Sequence, residues 1–289
     1  MTQTRPRRSA LFMPASNARA IDKARTLPCD VVILDLEDAV APEAKVMARS
    51  QAVEAVTAGG FGRREVVIRV NGLDTPWGRD DLAAAGESGV HVILVPKVST
   101  PDDVIAYDAA LRGSSRLWVM IETCRALFHL DAIGTTAGQT RLSAWVVGTN
   151  DLAKEMRCRL DPLRMPLVAP LCLAVAAARA HNLAILDGVY NELEDDAGLK
   201  RQCAQGADLG FDGKTLIHPR QIATANDAFS PGADEVAWSK VVIAAFDADA
   251  ASGIGVLRVD GRMVERLHLA RARQVVAVAD AIAEATGGG

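Results

Sequence analysis

Short runs of apolar residues recur along the whole chain, separated by longer segments that have the residue spacing of helices. The runs are rich in Val, Ile and Leu, and they lack the polar alternation of a strand with one face in solvent. Strands of this kind are buried on both faces, and their alternation with helices is typical of a parallel sheet. The pattern predicts eight strands, at Ala10–Met13, Val31–Leu36, Val66–Val70, Val92–Val95, Leu117–Ile121, Ala144–Val147, Leu183–Leu186 and Gly210–Ile217.

The segments between the runs predict helices. The stretch from Ser99 to Asp103 offers a capping hydroxyl, a proline at the first helical position and acids in the first turn. About eight strand–helix units make a closed (β/α)8 TIM barrel, an α/β fold, the economical arrangement. A doubly wound open sheet is the alternative, weakened by the lack of a G-x-G-x-x-G motif after the first strand. The predicted helices include Pro42–Thr57, Pro101–Arg112, Cys124–Ala132, Leu163–Ala180 and Leu193–Gln205.

The pattern changes after the eighth run. Two long helices rich in Ala and Val are predicted at Pro231–Ala251 and Met263–Thr286, and Asp260-Gly261 between them suggests a small hairpin or turn. We therefore divide the chain into a barrel catalytic domain over residues 1–230 and a C-terminal helical extension over residues 231–289. This extension is expected to serve as a lid or as an oligomer contact.

Composition narrows the class of protein. The chain has 289 residues, of which 49% are hydrophobic, and a net charge of −4. A nucleic-acid partner is not expected, because binding the phosphate backbone needs a basic face. No apolar run reaches the length of a membrane span, so we expect a cytoplasmic protein without membrane contact. The five cysteines are irregularly spaced and odd in number, which argues against a disulfide framework or a thiolate zinc site.

Polar residues close most of the apolar runs. In a barrel the active site gathers at the carboxyl ends of the strands, so these residues are expected to share one rim. A ring of carboxylates repels itself, and a divalent cation relieves that repulsion. Oxygen donors favour Mg²⁺, with Mn²⁺ as the alternative. The strand-end residues are Asp35, Glu37, Asp38, Arg69, Asn71, Lys97, Glu122, Asn150, Asp151, Asp187, Asp212, Lys214 and His218.

Several of these motifs, in the same order, resemble the citrate lyase β-subunit-like family, which includes malyl-CoA and citramalyl-CoA lyases. The resemblance covers nearly the whole chain and implies a TIM barrel. Its motifs are Arg8-Ser9-Ala10-Leu11-Phe12-Met13-Pro14, Asp35-Leu36-Glu37-Asp38-Ala39-Val40, Arg69-Val70-Asn71, Pro96-Lys97-Val98, Met120-Ile121-Glu122-Thr123, Asp187-Gly188-Val189-Tyr190 and Gly210-Phe211-Asp212-Gly213-Lys214 with Ile217-His218-Pro219.

The resemblance implies roles for individual residues. Glu122 and Asp151 would ligate Mg²⁺, with Glu37 and Asp38 near the waters around it. Arg69 would face the thioester carbonyl, where a positive charge stabilises developing negative charge. In the family a C-terminal aspartate that reaches a neighbouring subunit transfers a proton, and Glu265 stands at that position here. Glu265 could equally be an acid favoured by a helix N-terminus.

The resemblance also implies binding partners, an acyl-CoA and a small oxo acid, and a homo-oligomer, expected to be a trimer or a multiple of it. Arg7 and Arg8 are candidates for binding the CoA phosphates, because arginine suits bidentate contact with phosphate. A solvated basic tail is the alternative interpretation of this pair.

The function predicted from the sequence is Mg²⁺-dependent carbon–carbon cleavage of a 3-hydroxyacyl-CoA thioester of the malyl-CoA or citramalyl-CoA type, through a thioester enolate. Thioester hydrolysis by a stand-alone enzyme belongs to the same hypothesis. Three alternatives stay open: a carrier-protein-dependent citryl lyase subunit, a CoA-independent aldolase that releases pyruvate, and a non-catalytic interaction protein. The presence of Arg69, Glu122 and Asp151 weighs against the last.

Overall fold

The computed structural model describes residues 5–161, 163–248 and 255–286. Eight parallel strands close into a barrel in sequence order, with β8 paired to β1, which confirms the predicted TIM-barrel fold. The strands are β1 (Ser9–Pro14), β2 (Val31–Asp35), β3 (Glu65–Arg69), β4 (Val92–Val95), β5 (Arg116–Ile121), β6 (Leu142–Val147), β7 (Ala184–Asp187) and β8 (Gly213–Leu216).

Alternate residues of each strand face inward or outward, which gives the barrel two apolar layers. The inner layer fills the barrel with side chains that include Ile33, Val67 and Trp118. The outer layer lies between the strands and the helices around them, and it includes Leu34, Ile68 and several helical alanines. Because both faces are buried, the strands lack polar alternation.

Twelve α-helices are found in the part of the chain that the structure describes. The predicted helix Cys124–Ala132 is wrong as a single element, because the N–H groups of Phe128 and His129 bond three residues back and end the first segment. The helices are α1 (Ala18–Ala24), α2 (Lys45–Ala58), α3 (Gly78–Glu87), α4 (Pro101–Ala110), α5 (Cys124–Leu127), α6 (Leu130–Thr135), α7 (Thr149–Met156), α8 (Met165–Ala180), α9 (Asp196–Leu209), α10 (Ile222–Ala228), α11 (Ala233–Ala248) and α12 (Arg266–Thr286).

The chain divides into two compact units, one of which spans Arg7–Phe229 and holds the barrel, while the other includes Pro6 and the chain from Ser230 onward. In the second unit α11 and α12 pack together around Val242, Phe246 and Val264. A hairpin of β9 (Val256–Val259) and β10 (Arg262–Glu265) precedes α12. The turn at Asp260 and Gly261 has positive φ at both residues, as a two-residue hairpin turn requires. The predicted hairpin is therefore confirmed.

None of the helices in the described segments is both long and apolar enough to cross a bilayer.

Candidate active site

The candidate site lies at the carboxyl ends of neighbouring barrel strands. Arg69 is the last residue of β3, Glu122 follows β5 directly, and Asp151 is in the first turn of α7, just after β6. Glu37 and Asp38 follow β2 in the loop toward α2. The barrel thus brings five of the predicted site residues to one rim, where α/β barrels place their active sites.

Arg69 is held by a carboxylate on each side. Its Nε and Nη2 each donate to one oxygen of Asp35 over 2.6 Å. Its Nη1 lies 2.8 Å from Glu37 Oε2 and 3.3 Å from Asp38 Oδ2. Burial lowers the pKa of Arg69, but these three carboxylates outweigh it, so the pKa is raised and the guanidinium stays charged. The side chain also lies over the ring of Phe12, inside the barrel mouth.

Glu37 is a buried carboxylate with spare capacity to accept hydrogen bonds. Its Oε1 pairs with Lys97 Nζ at 3.2 Å. Its Oε2 forms an ion pair with Arg69 by distance, yet no donor meets hydrogen-bond geometry at that atom among the described residues. Burial raises the pKa of Glu37 against the lowering effect of Arg69. A buried acceptor of this kind favours a further donor, such as an ordered water or a substrate hydroxyl.

Glu122 is buried, and its environment disfavours the charged carboxylate. Its pKa is raised to about 8, first by burial and then by the charges of Glu37 and Asp151, while the N–H of Lys97 and the charge of Arg69 oppose the shift. That N–H donates to Glu122 Oε1 over 2.8 Å. A Cβ at Gly148 would lie 2.3 Å from Glu122 Oε2, so glycine at this position leaves room for the second carboxylate oxygen.

A cavity of about 430 Å³ opens beside these groups. Glu122 and Asp151 both line it, and no hydrogen-bond partner for the Asp151 side chain is found among the described residues. Two cations of its lining, Lys154 and Arg157, also lack an ion-pair partner in the described part of the chain. The cavity therefore combines carboxylates with cations that can attract an anionic ligand. Its lining consists of Lys97, Glu122, Thr123, Asp151, Lys154, Glu155 and Arg157.

These carboxylates suit a hard divalent cation. No group of three or more His, Cys, Asp or Glu side chains spaced to hold a metal occurs among the described residues. Mg²⁺ does not need such a group, because it is commonly bound by one or two carboxylates, with waters and substrate completing its shell. Glu122 and Asp151 repel each other in a buried setting, and a cation would remove that repulsion. The residues present therefore fit Mg²⁺.

Arg7 and Arg8 are not brought to this rim. Both precede β1, so they lie at the amino-terminal end of the barrel. Arg7 donates to both oxygens of Glu65, over 2.7 and 3.0 Å, and its guanidinium lies over the ring of Trp118. Arg8 donates to both oxygens of Asp30 over 2.8 Å. This geometry does not support their predicted role with CoA phosphates, because both arginines are committed to carboxylates at the opposite end of the barrel.

Glu265 is the last residue of β10 in the C-terminal unit. Its backbone N–H donates to Nδ1 of His268 over 2.9 Å, which helps to start α12. Its assignment as a proton carrier stays a prediction.

Two residues of the site make contacts that their positions in the sequence did not predict. Asp35, noted only as a strand-end acid, is the bidentate partner of Arg69. Lys97 contacts Glu37 with its side chain and Glu122 with its backbone. The position of each at a strand end marked it as a candidate, but the sequence did not indicate which partner it would contact.

Comparisons with known proteins show the family of this chain. Residues 8–219 match the model of the HpcH/HpaI aldolase/citrate lyase family, which confirms the resemblance seen in the sequence. A (3S)-malyl-CoA thioesterase of Cereibacter sphaeroides is 48% identical over 97% of both chains. An L-malyl-CoA/beta-methylmalyl-CoA lyase of the same species is 33% identical over 96% of both chains.

Among solved structures, CitE from Mycobacterium tuberculosis in complex with magnesium, acetoacetate and coenzyme A has a TM-score of 0.75. It shares 26% sequence identity, and the match covers 95% of this chain and 98% of that one.

Proposed function

This chain belongs to the HpcH/HpaI aldolase/citrate lyase family, and from that membership we propose that it cleaves a malyl-CoA-type 3-hydroxyacyl-CoA thioester. The products of carbon–carbon cleavage would be an acyl-CoA and a small oxo acid. The observation that carries the proposal is the placement of Arg69 beside the carboxylates of Glu37, Glu122 and Asp151 at one rim of the barrel.

Glu122 and Asp151 would hold Mg²⁺ in this proposal. When bound, the cation would polarise the oxygens of the oxo-acid half of the substrate, as a Lewis acid does. The similarity to CitE, solved with magnesium, supports this choice of ion. Mn²⁺, with the same preference for oxygen ligands, is the alternative.

Arg69 would stabilise the thioester oxygen as it gains negative charge. In this step the 3-hydroxyl would give its proton to Glu37, the bond between C2 and C3 would break, and the electron pair would pass to the thioester as an enolate. A positive charge already fixed in place needs no reorganisation during that step. Asp35 supplies this fixation, because its two oxygens set the plane of the guanidinium.

Proton transfer completes the reaction. Glu37 would accept a hydrogen bond at its buried Oε2, and Asp38, which is exposed, would pair with Arg69 at the rim. Glu265 would return a proton to C2 of the enolate, as the resemblance implies. A homotrimer, which the resemblance implies, and a cytoplasmic location, which the sequence predicts, also belong to this proposal.

Hydrolysis of the same thioester is a second candidate, favoured by the 48% identity to a malyl-CoA thioesterase. In hydrolysis water adds to the thioester carbon, and the thiolate leaves and takes a proton. The C2–C3 bond stays intact, so the product is the free hydroxy acid instead of an oxo acid.

The two reactions can be separated by analysing products from one incubation of purified protein with malyl-CoA and Mg²⁺. Carbon–carbon cleavage would yield glyoxylate and acetyl-CoA in equal amounts, with no free thiol. Hydrolysis would yield malate and free CoA. Oxo-acid release would support the lyase, and free thiol without oxo acid would replace it with the thioesterase. Malyl-CoA, citramalyl-CoA and citryl-CoA would each be tried, and failure with all three would contradict both candidates.

A further inference from the structure

Lys97 has a backbone conformation that is rare for a residue with a side chain. It follows Pro96 just after β4, and its φ is +54°. Residues other than glycine, asparagine and aspartate seldom adopt this left-handed region, because Cβ then crowds the following carbonyl oxygen. Such strained residues occur often at functional sites, where the surrounding structure holds them in place. What Lys97 contacts in this conformation therefore bears on its role.

In this conformation one residue holds two carboxylates of the site. The backbone N–H of Lys97 donates to Glu122 Oε1 over 2.8 Å. Its Nζ lies 3.2 Å from Glu37 Oε1, and Glu37 in turn lies 2.8 Å from Arg69 Nη1. The proposed cation ligand and the proposed enolate-stabilising arginine are thus linked through Lys97 and Glu37.

The contact at Glu122 restricts how that carboxylate can be used. Oε1 is engaged by the N–H, while Oε2 lies where a Cβ at Gly148 would come within 2.3 Å. The side chain of Lys97 is 57% exposed and lines the cavity with Glu122 and Asp151. The left-handed turn therefore fixes the orientation of Glu122 from one side, and the missing side chain at Gly148 leaves space on the other.

We infer that Lys97 is a positioning residue: its left-handed backbone orients Glu122 for the cation, and its ammonium fixes Glu37 against Arg69. The inference rests on the proposed cation site. It assigns two separate tasks to one residue, and these can be tested apart, because backbone conformation and side-chain charge respond to different substitutions.

The backbone task is tested with Lys97→Asn and Lys97→Val, using Mn²⁺ as the probe and water-proton relaxation to measure its Kd on the full chain. Both variants lose the ammonium, so electrostatic repulsion of the cation changes equally in both. Asparagine tolerates the left-handed region, whereas β-branched valine does not. We expect Lys97→Val to bind Mn²⁺ about 10-fold to 100-fold more weakly than Lys97→Asn, as is usual when a group that orients a metal ligand is lost.

The side-chain task is tested by comparing Lys97→Asn with Lys97→Arg. We expect the arginine variant to retain most of kcat, and the asparagine variant to lose kcat without binding Mn²⁺ more weakly than the wild type. If Lys97 contributed only to overall stability, both variants would instead have a lower thermal midpoint, and the kcat of the folded fraction would be unchanged.

Equal Mn²⁺ affinity in the asparagine and valine variants would overturn the backbone task, and a wild-type kcat in Lys97→Asn would overturn the side-chain task. If circular dichroism shows that the valine variant is unfolded, Lys97→Ala replaces it, since alanine also disfavours positive φ and is smaller. A wild-type protein that does not bind Mn²⁺ would contradict the proposed function instead, so the two failures are distinguishable.

Discussion

Arg69 and Asp35 lie side by side at the carboxyl ends of β3 and β2, joined by two hydrogen bonds of 2.6 Å. Both side chains are buried. A bidentate pair between neighbouring strands fixes the position and the plane of the guanidinium before any substrate arrives. The edge that carries Nη1 faces Glu37 and Asp38 at the rim, so the orientation of the arginine is set by the barrel wall.

Replacing Arg69 by lysine should impair catalysis even though the charge is kept. A single ammonium cannot span both oxygens of Asp35 or hold a defined plane. We expect kcat/KM to fall by about 10²-fold to 10³-fold, the usual loss when a fixed group that stabilises developing charge is removed. Steady-state kinetics with the thioester that the enzyme accepts would measure this.

Arg179→Lys is the matched control for that substitution. Arg179 also forms a bidentate pair, with Asp212 over two bonds of 2.9 Å, but it lies outside the candidate site. Equal losses of kcat/KM in the two variants would contradict a specific role for Arg69.

Gly148→Ala should remove the room that Glu122 needs. The added Cβ would meet Glu122 Oε2 at 2.3 Å, so the carboxylate must leave its present position. We expect the Mg²⁺-dependent rise in the thermal midpoint to disappear, along with a loss of about 1–3 kcal/mol of unfolding free energy from overpacking. Gly138→Ala serves as the control, because a Cβ there meets no atom within 4 Å. A Mg²⁺ response in Gly148→Ala equal to that of the control would contradict the placement of the cation.

Lys154 and Arg157 should attract the anionic substrate. Both line the cavity and lack ion-pair partners in the described part of the chain. Replacing both by alanine should raise KM by about tenfold with a smaller effect on kcat, since hydrogen bonds to charged groups contribute strongly to binding. The effect should shrink as salt is added. Lys200→Ala, at an exposed position of α9, is the control for loss of a surface charge. A KM change of the same size in that control would argue against specific attraction.

The stability of the barrel should depend on Asp187 in a pH-dependent way. This fully buried carboxylate accepts from Lys214 Nζ over 2.9 Å and from Arg164 Nη1 over 2.6 Å. Burial raises its pKa, but the two cations outweigh burial and hold the pKa below the ordinary 3.8. A lowered pKa gives stability that is present above the unfolded pKa and is lost as the pH falls through the folded one.

Asp187→Asn should therefore be less stable than wild type by about 3–5 kcal/mol near pH 7, because two buried cations lose their partner. The difference should shrink as the pH falls below about 4, because the carboxylate of the unfolded wild-type chain then takes up a proton while the folded one still resists protonation. Urea unfolding of both proteins between pH 7 and pH 3 would measure it. A difference that stays constant across this range would show that the charge of Asp187 is not the cause.

The sequence predicted the barrel well because buried parallel strands have a distinctive pattern. All eight apolar runs correspond to strands, with shifts of a few residues at their ends. The strand-end rule also found the rim residues, since chain order alone places Glu37, Arg69, Glu122 and Asp151 there. The bounds of helices without a long regular pattern, such as α5 and α6, were harder to predict, because local turns decided where each helix ended.

The contacts between individual side chains could not be predicted from the sequence. Asp35 and Asp38 look alike in the sequence, yet one is the buried partner of Arg69 and the other is exposed. The left-handed backbone of Lys97 could not be predicted either, because the residue type suggests this conformation only at glycine. The predicted contact of Arg7 and Arg8 with CoA phosphates was not supported for a different reason. Residues that precede the first strand lie at the amino-terminal end of a barrel, away from the site.

The most direct measurement is oxo-acid release from malyl-CoA by the wild-type protein and by Glu122→Gln, each with Mg²⁺ and with a chelator. We expect release by the wild type that stops when the chelator is added and returns with excess Mg²⁺. In Glu122→Gln, folded as judged by circular dichroism, we expect no Mg²⁺-dependent release. Release that is unaffected by the chelator, or an active Glu122→Gln, would contradict a Mg²⁺-dependent lyase built on this residue.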